Sequence, residues 1–511
     1  MSQSFTDLPQ DPRELRAVAE LMADQVKVLS LENLKLRHQL KGMVKHRFGS
    51  KSETAEQLGL KLFEQEADEA LMDEAANPAP AQEADDKQKA KPKREPLPKD
   101  LPRQSQRVEP EHTETCEDCN GKLRTLAEDT TEVLEYIPGH FIVKELVRPR
   151  YVCRDCEAIT QAPLPHRAID KGRYGPGLMA HIATAKYCDH LPLYRQNEIM
   201  ARDGIHIPRS TMAEMLVKLA KLCAPLQDHI LKQVKQSSAL FADDTTIRLQ
   251  PGKGFKGKSC VTARLWAYAR DGSGYGSDDP PAVAFQFTTD RKGQHPVSHL
   301  KDYKGWVHAD GYSGFNGLWT NGARREQACL AHVRRKFSDL VTSQQSVIGA
   351  EAVARIAKLY AIEKRIKASP PDERVQIRQA EAKPLLDDLE TWLEGQLARI
   401  SGKVPLAAAI RYALNRLPKI RPYLEHGFLE IDNNTVERCI RPIGLGRKNY
   451  LFVGSIAGGQ AAALFYTLIG TAKLNDVCPK AYLTWLFDTI AGHPVGKMEA
   501  LTPWAFKKIE K

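Results

Sequence analysis

Between residues 64 and 99 the chain carries a charge pattern that a folded core cannot contain. Residues 64–86 hold nine acidic residues and no basic one, and residues 87–99 hold six basic residues interspersed with prolines. Such a segment buries too little apolar surface to offset the entropy lost on folding. We expect a flexible tether, so the chain must fold as separate units on either side of it. Residues 46–110 are therefore assigned to a basic segment followed by a charged linker.

Length and composition predict about three domains for the 511 residues, at ~150 residues each. The longest apolar stretch, residues 461–472, falls short of the ~20 residues of a membrane helix, and the acidic N-terminus is unlike a secretory signal. We therefore expect a cytoplasmic protein with no membrane partner. The net charge of +10 favours a polyanionic partner. Ten cysteines in such a chain indicate thiols or metal rather than disulfides.

A heptad pattern precedes the linker. Apolar residues recur every seven residues at Leu15, Met22, Leu29, Leu36 and Met43. A second set with the same period, Ala19, Val26, Asn33 and Leu40, lies three residues before the later members of the first set. A buried Asn in such a seam selects two-stranded pairing. Residues 1–45 are predicted to form a coiled coil and to make the protein a homodimer or larger. The alternative is one amphipathic helix packed on its own domain. Next, Arg47 could contact DNA phosphates, although a helix stop at Gly49 explains this segment equally well.

Two Cys-x2-Cys pairs follow the linker. Four thiolates from two such knuckles, joined by a hairpin with strands over 133–137 and 141–147, would suit tetrahedral Zn²⁺: Cys116, Cys119, Cys153, Cys156. Residues 111–160 are thus predicted to be a zinc-ribbon-like module. Unligated structural cysteines and a redox pair are the alternatives. We expect the remaining six cysteines to be small apolar fillers.

Residues 161–236 are predicted to be helical. Helices are expected over 176–187 and 193–202, and a third from a Ser210 cap to about Cys223. The turn containing Gly204 between the second and third helices fits a helix-turn-helix, with Arg209 at its DNA-facing end. A plain three-helix packing unit is the alternative.

Strands dominate from residue 238, and two of them are predicted to end in acids. The segments 239–245 and 306–312 carry Asp243 and Asp310, and further strands are expected near 264–270 and 282–287. Side by side, the two acids would lie within reach of one pair of hard cations such as Mg²⁺. Two ions about 3.5–4 Å apart can clamp the attacking and leaving oxygens of a phosphoryl transfer.

A third acidic ligand is sought on a later helix. Asn433 or Asn434 is expected to cap a helix that carries Glu437. A surface ion pair between Glu437 and Arg441 is the plainer interpretation, and Glu430 and Asp432 compete as ligands. Basic residues near Glu437 would contact DNA, or form a solvated face: Arg438, Arg441, Arg447, Lys448.

Short motifs run in order through the second half of the chain. They are Ala242-Asp-Asp-Thr245, Pro251-Gly-Lys-Gly254, His308-Ala-Asp-Gly-Tyr312, Cys329-Leu-Ala-His-Val-Arg-Arg-Lys-Phe337, Ile431-Asp-Asn-Asn-Thr-Val-Glu-Arg438, Arg441-Pro442, Gly446-Arg-Lys-Asn449, Gly470-Thr-Ala-Lys-Leu-Asn475 and His493-Pro494. This series resembles the large transposase (TnpC type) of the insertion sequence 66 family, which moves bacterial DNA. Arg47 and the double Cys-x2-Cys fall where that family has zipper-like and zinc-finger regions.

The resemblance implies a DDE transposase with an RNase H-like core. Asp243, Asp310 and Glu437 match its three acids, which would bind Mg²⁺ or Mn²⁺. The family usually has Glu where this chain has Asp244, so Asp244 is a rival. His332, in a Cys-x2-His signature, would polarise the scissile phosphate or orient a flipped nucleotide, unless it is a buried structural histidine. The core is expected over 237–455, with an all-helical insertion at about 341–426 and a helical region over 456–511.

The implied fold class is a multidomain α+β/α chain. The implied activity is binding of the terminal inverted repeats of the element, strand cleavage, and joining of the 3′-hydroxyl to target DNA. Double-stranded DNA is the expected partner, at the bacterial nucleoid, with companion proteins of the same element as possible helpers. A DNA-binding regulator without catalytic activity is the alternative, and a metal-dependent strand-transfer assay separates the two.

Overall fold

The computed structural model describes residues 139–152, 159–161, 165–170, 172–250, 260–320 and 322–510. The predicted coiled coil, Arg47, the charged linker and the four predicted zinc ligands lie outside these residues.

The first described elements are two short antiparallel strands, β1 (Arg150–Val152) and β2 (Ile159–Gln161). The prediction of a strand over residues 141–147 is wrong, because that segment has no regular structure. Val143 and Val147 there are 97% and 76% exposed. A β-like pattern becomes a strand only where a neighbouring strand and a buried face complete it.

Three helices follow. The predictions for α1 (Pro176–Tyr187) and α2 (Leu193–Arg202) are confirmed. The third helix, α3 (Arg209–Val234), begins after Pro208 and continues through Pro225, so the predicted Ser210 cap and the end near Cys223 are wrong. Its buried face continues beyond the proline with Leu226 and Ile230, and this tertiary packing overrides the local helix-breaking signal.

A five-stranded mixed sheet follows, with its strands in the order β5-β4-β3-β6-β7. The strands are β3 (Ala239–Leu249), β4 (Val261–Arg270), β5 (Ala282–Thr288), β6 (Gly305–Ala309) and β7 (Arg324–Ala328). β3, β4 and β5 pair antiparallel, whereas β6 lies parallel to β3 and β7 parallel to β6. A short helix, α4 (Gln294–His299), lies between β5 and β6.

The sheet is followed by five helical segments that pack into a second hydrophobic core. These are α5 (Leu330–Gln344), α6 (Val347–Arg365), α7 (Pro371–Ile377), α8 (Lys383–Arg399) and α9 (Pro405–Ile420). The prediction that residues at about 341–426 are helical is confirmed. The chain returns to its starting point, because the Leu330 N–H donates to the Ile431 carbonyl at 3.0 Å.

After the insertion, α10 (Asn434–Asn449) crosses β3, and α11 (Ile456–Leu474) packs on β5. The Thr467 and Thr471 hydroxyls accept hydrogen bonds from the Phe285 and Val283 amides of β5 at 2.8 and 3.2 Å. This covers the edge strand, which would otherwise offer free backbone groups for pairing. Two further helices, α12 (Pro479–Thr489) and α13 (Pro503–Glu510), end the described chain. None of the described helices meets the length and apolarity needed to cross a bilayer.

Candidate active site

Asp243 lies in the middle of β3 and not at its end, so that part of the prediction is wrong. β3 continues past Asp243 because β4 pairs with it as far as Leu249, which lies opposite Val261. The parallel neighbour β6 stops earlier, and its last pair with β3 joins Phe241 to His308. Asp243 therefore sits two residues beyond the point where β6 leaves the central strand.

Asp310 directly follows β6, as its position before a glycine predicts. Its Oδ1 accepts a hydrogen bond from the Tyr312 amide at 2.9 Å, and its carbonyl accepts one from the Tyr412 hydroxyl at 3.2 Å. Gly311 has φ +89°, and a Cβ there would approach the Arg416 guanidinium to 2.9 Å. The tight turn after Asp310 therefore requires glycine.

Glu437 lies in the first turn of α10 and is 7% exposed, which argues against an ordinary surface ion pair. The helix is fixed across β3 near both ends. Asn433 Nδ2 donates to the Ala242 carbonyl and the Arg447 guanidinium to the Thr246 carbonyl, each at 3.0 Å. Asn433 occupies the predicted N-cap position, but its side chain bonds the strand and makes no capping hydrogen bond.

These three acids interact electrostatically. Burial raises the pKa of Asp243 well above its usual value, and the charges of Asp310 and Glu437 raise it further. Such repulsion is typical of carboxylates gathered where a cation can bind. Within the described residues, the carboxylate oxygens of these three acids do not all lie within 4.8 Å of one another, the spacing at which three ligands could share one ion.

Asp244, the rival of Asp243, is occupied by two arginines. Its fully buried carboxylate accepts hydrogen bonds from Arg264 at 3.0 Å and from Arg291 at 2.7 Å. The Arg291 guanidinium in turn lies 3.6 Å from the centre of the Tyr312 ring. The charge of Asp244 is therefore already compensated by two arginines that it ties to β3. This leaves Asp243 as the candidate metal ligand on β3.

Glu430 and Asp432, the competitors of Glu437, also have other partners. Both oxygens of Glu430 accept hydrogen bonds from the buried Arg374 at 3.0 Å. Asp432 accepts the Asn434 amide at 3.0 Å, and burial raises its pKa to about 7. Hydrogen bonds of both acids therefore fix the position of the segment that leads into α10.

Sequence reasoning gave no role to His308. Its ring stacks on Phe241 with centroids 4.3 Å apart, and its Nε2 accepts the Glu430 amide at 3.0 Å. Burial lowers its pKa to about 4, so the ring is neutral near pH 7. It joins β3, β6 and the segment before α10. The available signal in the sequence was its place inside a predicted strand, two residues before Asp310.

A second group of ligand atoms lies beside Glu437. The ligand atoms of Cys329, His332 and Glu437 all lie within 4.8 Å of one another. Cys329 precedes α5, and its Sγ accepts the Asn433 amide at 3.2 Å. The prediction that the six remaining cysteines are apolar fillers is wrong for Cys478, which is exposed, whereas Cys329 is buried.

His332 lies in the first turn of α5, with its Nδ1 3.7 Å from Glu437 Oε1. Burial lowers its pKa, while the Glu437 charge opposes this shift. Arg335 approaches the other Glu437 oxygen at 3.7 Å. His332 and the third acid therefore face one another, and the ring is available as a neutral base or ligand.

The predicted DNA-contacting residues differ in their surroundings. Arg209 is exposed at the first position of α3, and Arg438 and Lys448 are exposed on α10. Arg441 is half-buried. The Arg447 guanidinium bonds the carbonyl and hydroxyl of Thr246, so this residue helps to fix the helix to the strand.

Comparison with known proteins gives the family. Residues 171–461 match the family described as "Transposase IS66 family", and residues 467–504 match its C-terminal element. Residues 113–157 match the zinc-finger binding domain of transposase IS66, and residues 35–105 match "Transposase C of IS166 homeodomain". The chain therefore belongs to the IS66 family of transposases, and these domains support a transposase role and DNA binding.

Relatives of similar length occur in Sinorhizobium fredii. The uncharacterized protein y4hP is 36% identical over 94% of this chain and 89% of its own length. The uncharacterized protein y4qI is 38% identical over 82% of this chain and 79% of its own length. The similarity therefore extends through nearly the whole chain.

Proposed function

We propose that this transposase cleaves DNA at the ends of its element and joins the freed 3′-hydroxyl to target DNA. The observation that carries the proposal is the electrostatic effect of two acids on a third, each from a separate element. Asp243 comes from the central strand, Asp310 from the end of its parallel neighbour, and Glu437 from the helix that crosses the central strand. The charges of Asp310 and Glu437 raise the pKa of Asp243, which supports a shared site for the three acids.

The catalytic core is proposed to be RNase H-like. The sheet order supports this assignment, because three antiparallel strands are extended on the side of the first strand by two parallel ones. In this arrangement β3 is the central strand. Asp243, in the middle of β3, and Asp310, just after the parallel strand β6, share one side of the sheet. The helices α5–α9 are then an insertion between the second and third acids.

The donor set fits a hard divalent cation. Asp243, Asp310 and Glu437 offer carboxylate oxygens, and their repulsion in the absence of a cation is relieved by positive charge. We propose that these residues hold Mg²⁺ or Mn²⁺. When bound, such ions neutralise charge on the phosphate and activate the attacking oxygen. The acids keep their positions through the bonds of Asn433 to β3 and of Tyr312 to Asp310.

Neighbouring side chains would orient the DNA. His332, neutral near pH 7 because its pKa is lowered, is proposed to contact the scissile phosphate or a flipped nucleotide beside Glu437. The exposed Arg438 and Lys448 are proposed to bind phosphates along α10. Arg441 and Arg447 would add positive potential, and Arg209 and Arg47 would bind DNA further from the acids.

The N-terminal regions are proposed to recognise and pair the element ends. Cys116, Cys119, Cys153 and Cys156 would bind one Zn²⁺, which the zinc-finger match supports. The heptads of residues 1–45 would form a coiled coil that joins two chains, so that two DNA ends are held together. Companion proteins of the same element are proposed to assist.

A strand-transfer assay on labelled element ends tests the proposal. Wild-type protein should produce joined product only with Mg²⁺ or Mn²⁺, and Glu437→Gln should lose most of it while still binding DNA. Glu425→Gln, which removes an exposed acid before α10, is the matched control and should remain active. If wild-type protein binds the ends but never joins them under any divalent cation, the non-catalytic regulator is the better description.

A further inference from the structure

The group formed by Cys329, His332 and Glu437 has a composition that the proposed Mg²⁺ chemistry does not need. Mg²⁺ takes oxygen ligands, whereas thiolate and imidazole are ligands of Zn²⁺ and similar softer cations. Thiol, imidazole and carboxylate atoms within 4.8 Å of one another therefore form a donor set of a different kind, and it shares one member with the acids.

The spacing of the ligand atoms suits one ion. From zinc bond lengths, ligand atoms around a tetrahedral Zn²⁺ lie roughly 3.3–3.6 Å apart. His332 Nδ1 and Glu437 Oε1 are 3.7 Å apart, so only small side-chain movements are required. His332 Nδ1 is buried and has no hydrogen-bond partner among the residues that the structure describes. Three protein ligands leave a fourth position for water.

Burial and the charges of Glu437 and Asp432 raise the pKa of the free Cys329 thiol, so a thiolate there requires a bound cation, which two features of the backbone would assist. The sulfur lies at the N-terminal end of the 15-residue helix α5, whose dipole favours negative charge there. Its Sγ accepts backbone N–H groups from Asn433 and His332. These donors would remain when a cation replaces the thiol proton, which leaves for solvent.

We propose that Cys329, His332 and Glu437 bind a soft divalent cation such as Zn²⁺, and that zinc held there competes with Mg²⁺ for the Glu437 carboxylate. Arg335 near the second oxygen of Glu437 leaves Oε1 directed at His332. A zinc ion on Oε1 would withdraw the third acid from Asp243 and Asp310. The competition rests on the proposed function, whereas the binding itself does not.

Cobalt binding to the full-length chain, without Mg²⁺, tests the site directly. Co²⁺ replaces Zn²⁺ and gives a thiolate charge-transfer absorption. Cys329→Ser should lose one equivalent of bound Co²⁺ per chain. The remaining affinity at this site should fall by more than about 100-fold, since removing a supporting group alone costs 10–100-fold. Cys439→Ser, a change at a half-buried cysteine outside the group, is the matched control and should behave as wild type. His332→Asn repeats the test if Cys329→Ser does not fold.

The competition is measured by Mg²⁺ titration of strand transfer. With zinc at about ten times its dissociation constant, the Mg²⁺ needed for half-maximal activity should rise about tenfold in wild type and stay unchanged in Cys329→Ser. Equal cobalt spectra and stoichiometries for all three proteins would overturn the site. Zinc binding with an unshifted Mg²⁺ requirement would overturn the competition. Inactivity of wild type with every hard cation would instead count against the proposed function and leave the cobalt result readable.

Discussion

Exchanging each of the two adjacent aspartates of β3 for asparagine should separate a structural acid from a catalytic one. The Asp244 carboxylate is fully buried and paired with Arg264 and Arg291, whereas the pKa of Asp243 is raised by burial and by the charges of Asp310 and Glu437. Asp244→Asn removes the charge that compensates two arginines. Asp243→Asn removes a charge that is repelled by two acids.

The expected loss in Asp244→Asn follows from burial. Breaking a fully buried ion pair costs about 3–5 kcal/mol. Arg264 and Arg291 are 18% and 36% exposed, so solvent compensates part of this, and we expect about 2–3 kcal/mol. In a chain of this size the melting temperature should fall by on the order of 5 °C.

Asp243→Asn should have the opposite effect on stability. The pKa of Asp243 is raised in the folded state, so this group favours folding at acid pH. That contribution is lost as the pH rises through the raised pKa. At pH 7 the asparagine variant should therefore be at least as stable as wild type without a divalent cation. It should gain less stability from added Mg²⁺, because one ligand is missing.

Urea unfolding at pH 7, with and without Mg²⁺, measures both stabilities, and strand transfer is assayed at a temperature where each variant is folded. Asp244→Asn should be less stable but retain at least about a tenth of wild-type activity per folded chain, whereas Asp243→Asn should be stable and inactive. An unchanged stability for Asp244→Asn together with lost activity would show that the two roles are reversed.

Three further outcomes are expected. Cys116→Ser should lose one Zn²⁺ per chain by metal analysis while residues 172–510 keep their thermal unfolding; full zinc content would refute the predicted module. Deleting residues 1–45 should lower the mass found by light scattering, and an unchanged mass would favour a single helix. The raised pKa of Asp432, about 7, should make stability fall between about pH 4 and 7. Asp432→Asn should flatten that profile by on the order of 1 kcal/mol per pH unit in urea titrations, whereas an unaltered slope would exclude this residue as the cause.

The two acids of the sheet differ in how far sequence could locate them. Asp310 follows an apolar strand and precedes a glycine, so local signals predicted both the strand and its end. Asp243 is followed by Thr245, Ile247 and Leu249, which are buried on alternate positions, and β3 therefore continues past it. This alternation was a local signal that the strand continues past Asp243, whereas its end at Leu249 depends on pairing with β4.

Partners distant in sequence explain most of what could not be predicted. Arg374 bonds Glu430 across 56 residues, and Arg291 bonds Asp244 across 47. Composition cannot say which carboxylate an arginine will neutralise, so Asp244 and Glu430 remained rivals until their partners were known. The helical insertion, by contrast, was predictable because its apolar residues repeat with helical spacing.

The hydrogen bond between the Leu330 amide and the Ile431 carbonyl has a consequence for engineering. The hundred or so residues between these points therefore begin and end at neighbouring positions. A linker of a few residues can span such a gap, and closing so short a loop costs less chain entropy than closing the native one. A foreign domain joined at these two points would be held by adjacent stems, but the exchange would also remove His332 and the hydrogen bonds of Arg374 to Glu430, which belong to the excised stretch.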